Sequence, residues 1–434
     1  MRPLPALAIA ATIASSAGGF SPALPQKPAG PPTAPLTRPH ITIVPVSARV
    51  LAGGQLRLRA TIAGGHVAGI AWSAFGPGAV DADGTYRAPR DPGAVATVVA
   101  SAGGLAAATV ISIVAPPQAG HAVALVACYD DGAIDVRDAD TRFDIGTVTT
   151  GDVAAGIAGD AAASAAFVAS GDRIGRFDPS TGSATFSAPV AGARFSEVAV
   201  LGHGLVAATD NNAAAHSPGV RLFRTDGRTG PPELAGSASA GDTPEGIATA
   251  AGTSTFYITN VNSNSVQRFA FDRTGRAWLT GMAGTGHRPF GVAVDERRRL
   301  LFVADNDTPT VSGPGSAPGL DVFSLPSMRR IARFVTGSAN ALPLGVSADP
   351  ADDRVFVTNE GDGDVAVFSM QPMRRIATIA VGRTPWLPAL DGRRGLLEVP
   401  NAADDTVTVI DARTLRTIAG GAPTCGYPTS IAIL

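Results

Sequence analysis

The sequence predicts an all-β protein in which a small β-sandwich precedes a seven-bladed β-propeller. The first observation is compositional: the 434-residue chain holds 51 Gly and 34 Pro, and only 16% of its residues are charged. Such a composition favours many short strands joined by tight turns over long helices. The second observation is a unit of four strands that recurs through residues 121–434, which is the pattern of propeller blades.

Residues 1–17 have the pattern of a secretory signal peptide. Arg2 is followed by the apolar run 4–14 and by the small residues 15–18. These supply the charged start, the apolar core and the cleavage region of such a peptide. The apolar run is shorter than a membrane-spanning helix needs. We therefore predict export to a secreted, periplasmic or cell-surface location, with no transmembrane segment.

Residues 18–40 are predicted to form a linker. They contain seven prolines, a density that excludes helix and favours an extended polyproline II conformation. The alternative is that a PxxP stretch in this segment binds a partner protein.

Residues 41–115 show the alternation of half-buried strands, most clearly at 55–60, where Leu56 and Leu58 alternate with polar residues. Trp72 lies in the middle of a strand and is expected at the centre of the core. The run 83–89 (DGTYRAP) resembles the dGxYxAP element of bacterial immunoglobulin-like domains, and residues 52–55 and 71–73 resemble the same family. The resemblance implies an Ig-like β-sandwich that acts as a spacer or an adhesive unit.

The repeat of residues 121–434 is anchored on prolines. Pro244, Pro289, Pro343 and Pro385 each begin a first strand, and second strands follow at 255–260, 299–306, 354–361 and 395–401. Third and fourth strands complete each unit. Two more degenerate units precede these, with first strands near residues 156 and 197.

A partial unit at 121–141 lacks a first strand, and residues 430–434 at the end of the chain supply one. One split unit and six continuous ones predict seven blades. Pairing the two ends of the domain also removes the exposed sheet edges of an open ring.

The runs 256–266 (FYITNVNSNSV), 356–368 (FVTNEGDGDVAVF) and 399–418 (VPNAADDTVTVIDARTLRTI) resemble the YVTN repeat of exported bacterial and archaeal propellers. The resemblance extends over residues 244–434 and is weak over 122–240. It implies a propeller fold and an exported protein. The family includes surface-layer proteins and relatives of propeller lactonases, so its members differ in function.

The only two cysteines fall at the predicted ring closure. Cys128 aligns with Asn359 at the end of a second strand, and Cys425 lies three residues before Pro428. A disulfide between them would stabilise the fold by roughly 4–5 kcal/mol in the loop-entropy model. The alternative is two separate thiols, which a Cα–Cα distance above about 7 Å would indicate.

Asn and acidic residues, Glu360 among them, recur at the turn between the second and third strands of each unit. Oxygen ligands on one face could coordinate calcium or a substrate, but Asn, Asp and Gly also simply suit tight turns. Two of these turns carry insertions, at 211–219 and 306–320, on the face that also holds the inter-blade loops. The candidate binding residues on this face are His287, Arg288, Arg383, Trp386, Asp305, Asp307, Asn260 and Asn359.

No catalytic motif decides the function. The six histidines have no zinc-site spacing, and neither a CxxCH haem motif nor a GxSxG elbow occurs. No metal site and no cofactor is therefore predicted, with calcium as the open alternative. The net charge of -2 gives no footprint for nucleic acid.

The favoured hypothesis is a monomeric, non-enzymatic exported protein whose propeller binds a protein, a glycan or a component of the cell envelope. A hydrolase or lyase of the propeller lactonase type, acting at the channel mouth, is the alternative. A redox-subunit role is the third hypothesis.

Overall fold

The computed structural model describes residues 39–434, except 46, 64–68, 119, 143, 213–218, 226–229, 251 and 308–316. The predicted signal peptide, nearly all of the predicted linker and much of the two turn insertions lie outside the described residues. The described part is all-β and has the β-propeller type of fold, with strands β1–β37 and a 3-10 turn at Ala402–Asp404. None of the helical segments described is long and apolar enough to cross a membrane.

Six sheets of four antiparallel strands follow one another along the chain, and in each of them consecutive strands are neighbours. They are numbered sheets 2–7 in chain order. Sheet 2 contains β13 Ile157–Asp160, β14 Ala165–Ser170, β15 Arg173–Asp178 and β16 Ser183–Phe186, and sheet 3 contains β17 Phe195–Gly202, β18 Leu205–Asp210, β19 Val220–Arg224 and β20 Glu233–Ala238. Sheet 4 contains β21 Pro244–Thr249, β22 Thr255–Asn260, β23 Ser265–Phe271 and β24 Ala277–Gly284, and sheet 5 contains β25 Pro289–Asp295, β26 Leu300–Asp305, β27 Gly319–Ser324 and β28 Arg329–Val335. Sheet 6 contains β29 Pro343–Asp349, β30 Arg354–Asn359, β31 Asp364–Met370 and β32 Met373–Ala380, and sheet 7 contains β33 Ala389–Asp391, β34 Leu396–Asn401, β35 Thr406–Asp411 and β36 Arg416–Pro423.

The second strands of these sheets are almost completely buried, as in β14 and β18, where every residue is buried. Sheets covered on both faces need apolar residues on both sides of a strand. This is why the sequence shows short continuous apolar runs there instead of alternation. The fourth strands are the outermost, and five of the eight residues of β24 are exposed.

A seventh four-stranded unit, sheet 1, joins the two ends of this region. It consists of β10 Val123–Cys128, β11 Ala133–Asp138 and β12 Asp144–Thr149 with the last strand of the chain, β37 Pro428–Ile433. β37 pairs antiparallel with β10 and contacts the first strands β13 and β33 on either side. The other first strands also contact one another in succession, from β13 to β33.

Cys128 and Cys425 form a disulfide in sheet 1, with their Cα atoms 5.8 Å apart. The separation lies in the ordinary range for a disulfide. The predicted pairing is therefore confirmed, and it bonds the end of β10 to the loop that leads into β37.

The Thr-Asn pair of the repeat motif has two structural roles. The threonine lies at the penultimate position of a second strand and bonds to the beginning of the next unit: Thr259 Oγ1 donates to the Phe290 carbonyl at 2.5 Å and Thr358 Oγ1 to the Trp386 carbonyl at 2.8 Å. The asparagine that follows holds the loop leading into the first strand of its own sheet, as described below. The motif thus joins neighbouring sheets and fixes their loops.

The N-terminal strands form a small sandwich whose core contains Ile43, Val50, Leu56, Tyr86 and Ile111. Its strands are β1 His40–Val44, β2 Ser47–Leu51, β3 Gln55–Arg57, β4 Arg59–Ala63, β5 Ala71–Phe75, β6 Ala79–Val80, β7 Thr85–Arg87, β8 Val95–Ala102 and β9 Leu105–Val114.

Tyr86, which is fully buried, is the central aromatic residue of this sandwich, and Trp72 is only partly buried. The expectation for Trp72 was therefore wrong. Its strand β5 lies at the edge of its sheet, so a side chain there has neighbours on fewer sides.

The sandwich docks directly on sheet 1. β2 pairs in parallel with β12, through Val50 and Thr147, so that sheet 1 and four sandwich strands make one eight-stranded sheet. Leu51, at the end of β2, is completely buried among apolar residues of sheets 1 and 2. The two parts are thus packed together rather than separated by a flexible connection.

Candidate functional site

One end of the ring, here called the top face, carries the loops leading into the first strands and the turns that follow the second strands. In six sheets the residue after the second strand donates its backbone N–H to a carbonyl in the loop that leads into the first strand. Asn306 N bonds in this way to Arg288 O at 2.9 Å, and Glu360 N to Leu342 O at 3.0 Å. The other four bonds are Tyr129 to Tyr427, Asn211 to Arg194, Val261 to Thr243 and Ala402 to Thr384. These bonds bring two variable positions of each sheet together around the axis of the ring.

The last residues of the second strands form a ring of buried polar side chains, the staple ring: Asp210, Asn260, Asp305, Asn359 and Asn401. Asn260 Oδ1 accepts a hydrogen bond from the backbone N–H of Gly241, and Asn401 Oδ1 accepts one from Gly382, each at 3.0 Å. Each glycine lies three residues before the proline of its own repeat unit, Pro244 or Pro385. A Cβ on either glycine would lie within 2.7 Å of the amide group, so the staple needs glycine there. Asn359 donates to Asp364 Oδ1 at 2.7 Å.

The predicted binding residues Asn260 and Asn359 are therefore completely buried structural residues of this ring. Asp305 is also completely buried and pairs with Arg333, which bonds to Asp321 at 2.9 Å. Burial and the charge of Asp321 raise the pKa of Asp305 well above its usual range. Asp307 is buried beside Asp305, whose carbonyl accepts the Asp307 N–H at 2.8 Å.

The other predicted residues differ in exposure. His287 is exposed, and Arg383 is an exposed rim residue that pairs with Asp404 at 2.6 Å. Trp386 is buried, and the partly buried Arg288 forms no ion pair within the described residues.

Aromatic side chains line part of the top face. The ring centroids of Phe290 and Trp386 are 5.8 Å apart, those of Trp386 and Tyr427 6.1 Å, and those of Tyr427 and Tyr129 6.4 Å, all edge to face. Arg194 extends the line by donating to the Tyr129 hydroxyl at 2.8 Å. Such a surface is suited to packing against the apolar face of a ring-shaped ligand.

Glu360 lies beside this aromatic line and is the best-placed carboxyl group. Its side chain is 9% exposed, and Asn306 Nδ2 donates to its Oε2 at 3.4 Å. Burial raises the pKa of Glu360, while Asn306 and the positive charge of Arg288 oppose that rise. Burial raises the pKa of Tyr427 to about 12, and the negative charge of Glu360 contributes to that rise. A carboxylate with a raised pKa beside an unpaired arginine is suited to accepting a proton.

A second carboxyl pair lies further round the ring. Glu245 is fully buried, with Asn211 Nδ2 donating to its Oε1 at 2.8 Å and Ser196 Oγ to its Oε2. Burial raises the pKa of Glu245 to about 7. Burial and the neighbouring Glu245 raise the pKa of Glu197 well above its usual range.

Sequence reasoning missed Glu197, Glu245, Asn306 and Tyr427 and named Glu360 only within a group of turn acids. A signal was present: Glu245 stands where three other units have Phe290, Leu344 and Trp386. A charged residue at a position that is apolar in those units breaks the repeat.

Among the residues that the structure describes, one group of side chains could hold a metal ion. Potential ligand atoms of His121, Asp138 and Asp140 all lie within 4.8 Å of one another. His121 Nδ1 is already bonded to Asp138 at 2.6 Å, and Arg394 pairs with Asp140 at 2.7 Å. The arginine supplies positive charge where a cation would sit, so the group is best explained as an ion-pair network.

No protein-family model matches the sequence, and neither does any curated protein. Solved structures do resemble it. A candidate 6-phosphogluconolactonase from Bacteroides fragilis is 12% identical, with a TM-score of 0.60 over 73% of this chain and 99% of its own. The periplasmic gluconolactonase of Pseudomonas aeruginosa is 12% identical, with a TM-score of 0.58 over 72% and 99%.

A Lactobacillus plantarum protein is 14% identical, with a TM-score of 0.59 over 72% and 99%. At these identities the likeness shows the β-propeller fold and leaves function open.

Proposed function

We propose that the chain is an exported hydrolase of lactones or related cyclic esters, and that its active site is at the top face of a seven-bladed propeller. The proposed domains are a signal peptide at 1–17, a linker at 18–40, an Ig-like domain at 41–115 and the propeller at 121–434. The single observation that carries the proposal is Glu360, a buried carboxyl group with a raised pKa that lies within electrostatic range of Arg288.

Lactone hydrolysis needs a base for water and a positive charge for the developing oxyanion. Glu360 takes a proton from a water molecule as that water attacks the lactone carbonyl carbon. Arg288 stabilises the negative charge on the carbonyl oxygen of the tetrahedral intermediate. The ring C–O bond then breaks, and the proton held by Glu360 passes to the leaving alkoxide, giving a hydroxy acid.

The aromatic line positions the substrate. The partly buried Phe290 and Tyr427 pack against a ring of five or six atoms, and the buried Trp386 supports both of them through edge-to-face contacts. Asn306 keeps the Glu360 carboxylate oriented through its hydrogen bond. Two of the similar structures carry gluconolactonase names, which supports a sugar lactone as the first substrate to test.

The test is the hydrolysis of glucono-1,5-lactone, corrected for the spontaneous reaction, by the wild type and two variants. We expect Glu360→Gln and Arg288→Gln each to lower kcat/KM at least 100-fold, which corresponds to roughly 3 kcal/mol of transition-state stabilisation. Arg383→Gln is the matched control, because Arg383 is an exposed rim residue paired with Asp404. A wild type without turnover, or an equal loss in all three variants, would contradict the proposal.

A further inference from the structure

A second cleft lies between the sandwich and sheet 1, away from the top-face site. It has a volume of about 500 Å³ and is bounded by β1–β4 and β9 on one side and by sheet 1 and the Cys425 loop on the other. Ligand sites for small molecules typically fall between about 300 and 1,000 Å³. The continuous sheet through β2 and β12 holds the two walls in a fixed relation.

The two walls carry opposite charges. The sandwich wall presents Arg49, Arg57 and Arg59, and the sheet 1 wall presents Asp131, Asp135 and Asp144. Apolar residues such as Leu56 lie between the charges on the sandwich side. A lining of this kind is unlike a site for a simple anion or cation, because each would meet one wall of its own charge.

Some of these charges already have partners. Arg57 pairs with Asp83, and Asp131 accepts the Gly426 N–H at 2.7 Å. Arg59 is exposed and has neither an ion pair nor a side-chain hydrogen bond within the described residues. Its guanidinium group is therefore available to an anionic group.

On the opposite wall, Asp135 is buried and accepts a hydrogen bond from Thr424 Oγ1 at 2.6 Å. Burial and the nearby Asp144 carboxylate raise the pKa of Asp135 to about 7. Arg137 is the cation that opposes this rise. A positive group in the cleft would relieve the repulsion between the two carboxylates.

We propose that this cleft binds a zwitterionic peptide of two or three residues, with its ammonium group facing Asp135 and Asp144 and its carboxylate facing Arg59. Two charges at the ends of a short chain match the charges of the two walls, and the apolar residues between them accommodate small side chains. The site is independent of the proposed hydrolase activity.

The test is isothermal titration of the full chain with trialanine and with two analogues that each lack one charge, N-acetyl-trialanine and trialanine amide. We expect trialanine to bind at least tenfold more tightly than either analogue. Arg59→Gln should weaken trialanine at least tenfold and leave the amide unchanged, and Asp144→Asn should weaken trialanine and leave the N-acetyl form unchanged. Arg90→Gln, an exposed sandwich arginine outside the cleft, is the control.

Each variant is compared with the analogue that lacks the charge which the substituted residue would bind. A lost contact weakens trialanine but not that analogue, whereas misfolding would weaken all three ligands. Both substituted residues are exposed, so the variants should fold. No binding by the wild type at 10 mM trialanine would overturn the proposal. Equal binding of the three ligands would overturn it as well.

Discussion

Two neighbouring rings of the top face differ in how regular they are. The staple ring, at the last residue of each second strand, holds Asn or Asp in five of the seven sheets, and all five side chains are buried. One residue later the ring is variable and holds Asn211, Val261, Asn306, Glu360 and Ala402. The regular ring fixes loops, and the variable ring, with the loop residues bonded to it, holds residues of the proposed active site.

The difference teaches how to interpret a repeat. A residue type present in every unit meets a need common to every unit, such as the backbone N–H of Gly241 or Gly382. One active site on a ring of similar units requires residues that only one unit has. Glu360 and Glu245 meet that condition, and Asn260 and Asn359 do not.

Sheet 1 has a disulfide at the place where other sheets have the hydrogen bond between glycine and asparagine. Cys128 occupies the staple position, and Cys425 stands three residues before Pro428, where other sheets have Gly241 or Gly382. The disulfide thus replaces the hydrogen bond from the glycine N–H to the asparagine at the one sheet built from both ends of the chain.

The largest expected effect follows from this replacement. The double variant Cys128→Ser, Cys425→Ser should lose roughly 4–5 kcal/mol of unfolding free energy, because the 297-residue separation closes a long loop in the unfolded chain. Denaturant titration measures the loss, and reduced wild type should match the variant. A loss below about 1 kcal/mol would show that the hydrogen bonds of β37 close the ring unaided.

The next effect concerns the buried Glu245. The pKa of Glu245 is about 7 in the folded protein and has an ordinary value of 4.5. Between pH 4.5 and pH 7, the folded state therefore holds a proton that the unfolded state has released. Stability is therefore greatest below pH 4.5 for this group and falls as the pH rises through 7. The penalty above pH 7 is on the order of 3 kcal/mol.

Glu245→Gln should remove most of this penalty, so the variant should be more stable than the wild type at pH 8 and about equal to it at pH 4.5. Thermal melting across this range measures the difference. Glu296→Gln, at an exposed glutamate, serves as the control and should follow the wild type. A Gln variant with an unchanged pH profile would argue against a buried carboxylate at Glu245.

The smallest of the three effects compares a residue of the staple ring with an exposed turn residue. Asn401→Ala should cost about 2–3 kcal/mol, because it leaves the Gly382 N–H and the hydroxyls of Thr406 and Thr408 without their partner. Asn262→Ala, at an exposed turn residue with one side-chain bond, should change stability by about 0.5 kcal/mol or less. Equal losses in the two variants would remove the distinction between staple and turn residues.

The sequence predicted the strands well where periodicity and turn chemistry act locally. The second strand of sheet 4, predicted at 255–260, is β22 Thr255–Asn260. The disulfide followed from aligning the units. The docking of β2 on β12 was not predictable, because a parallel pairing between distant segments has no local signal.

The site was predicted only in part. Arg288 and Trp386 were chosen for their loops, but Glu360, the carboxyl group on which the charge of Arg288 acts, comes from another sheet. Glu360, Asn306 and Tyr427 meet only when the ring closes, since they are brought together by sheets 6, 5 and 1. Burial, which raises the pKa of Glu360, is likewise a property of the folded ring.

The most direct test of the account compares the two rings in one assay. Glucono-1,5-lactone hydrolysis and melting temperature would be measured for the wild type, Glu360→Gln and Asn401→Ala. We predict at least a 100-fold loss of kcat/KM with an unchanged melting temperature for Glu360→Gln. For Asn401→Ala we predict a lowered melting temperature with kcat/KM preserved in the folded protein. Wild-type turnover no faster than the spontaneous reaction, or full activity of Glu360→Gln, would contradict these predictions.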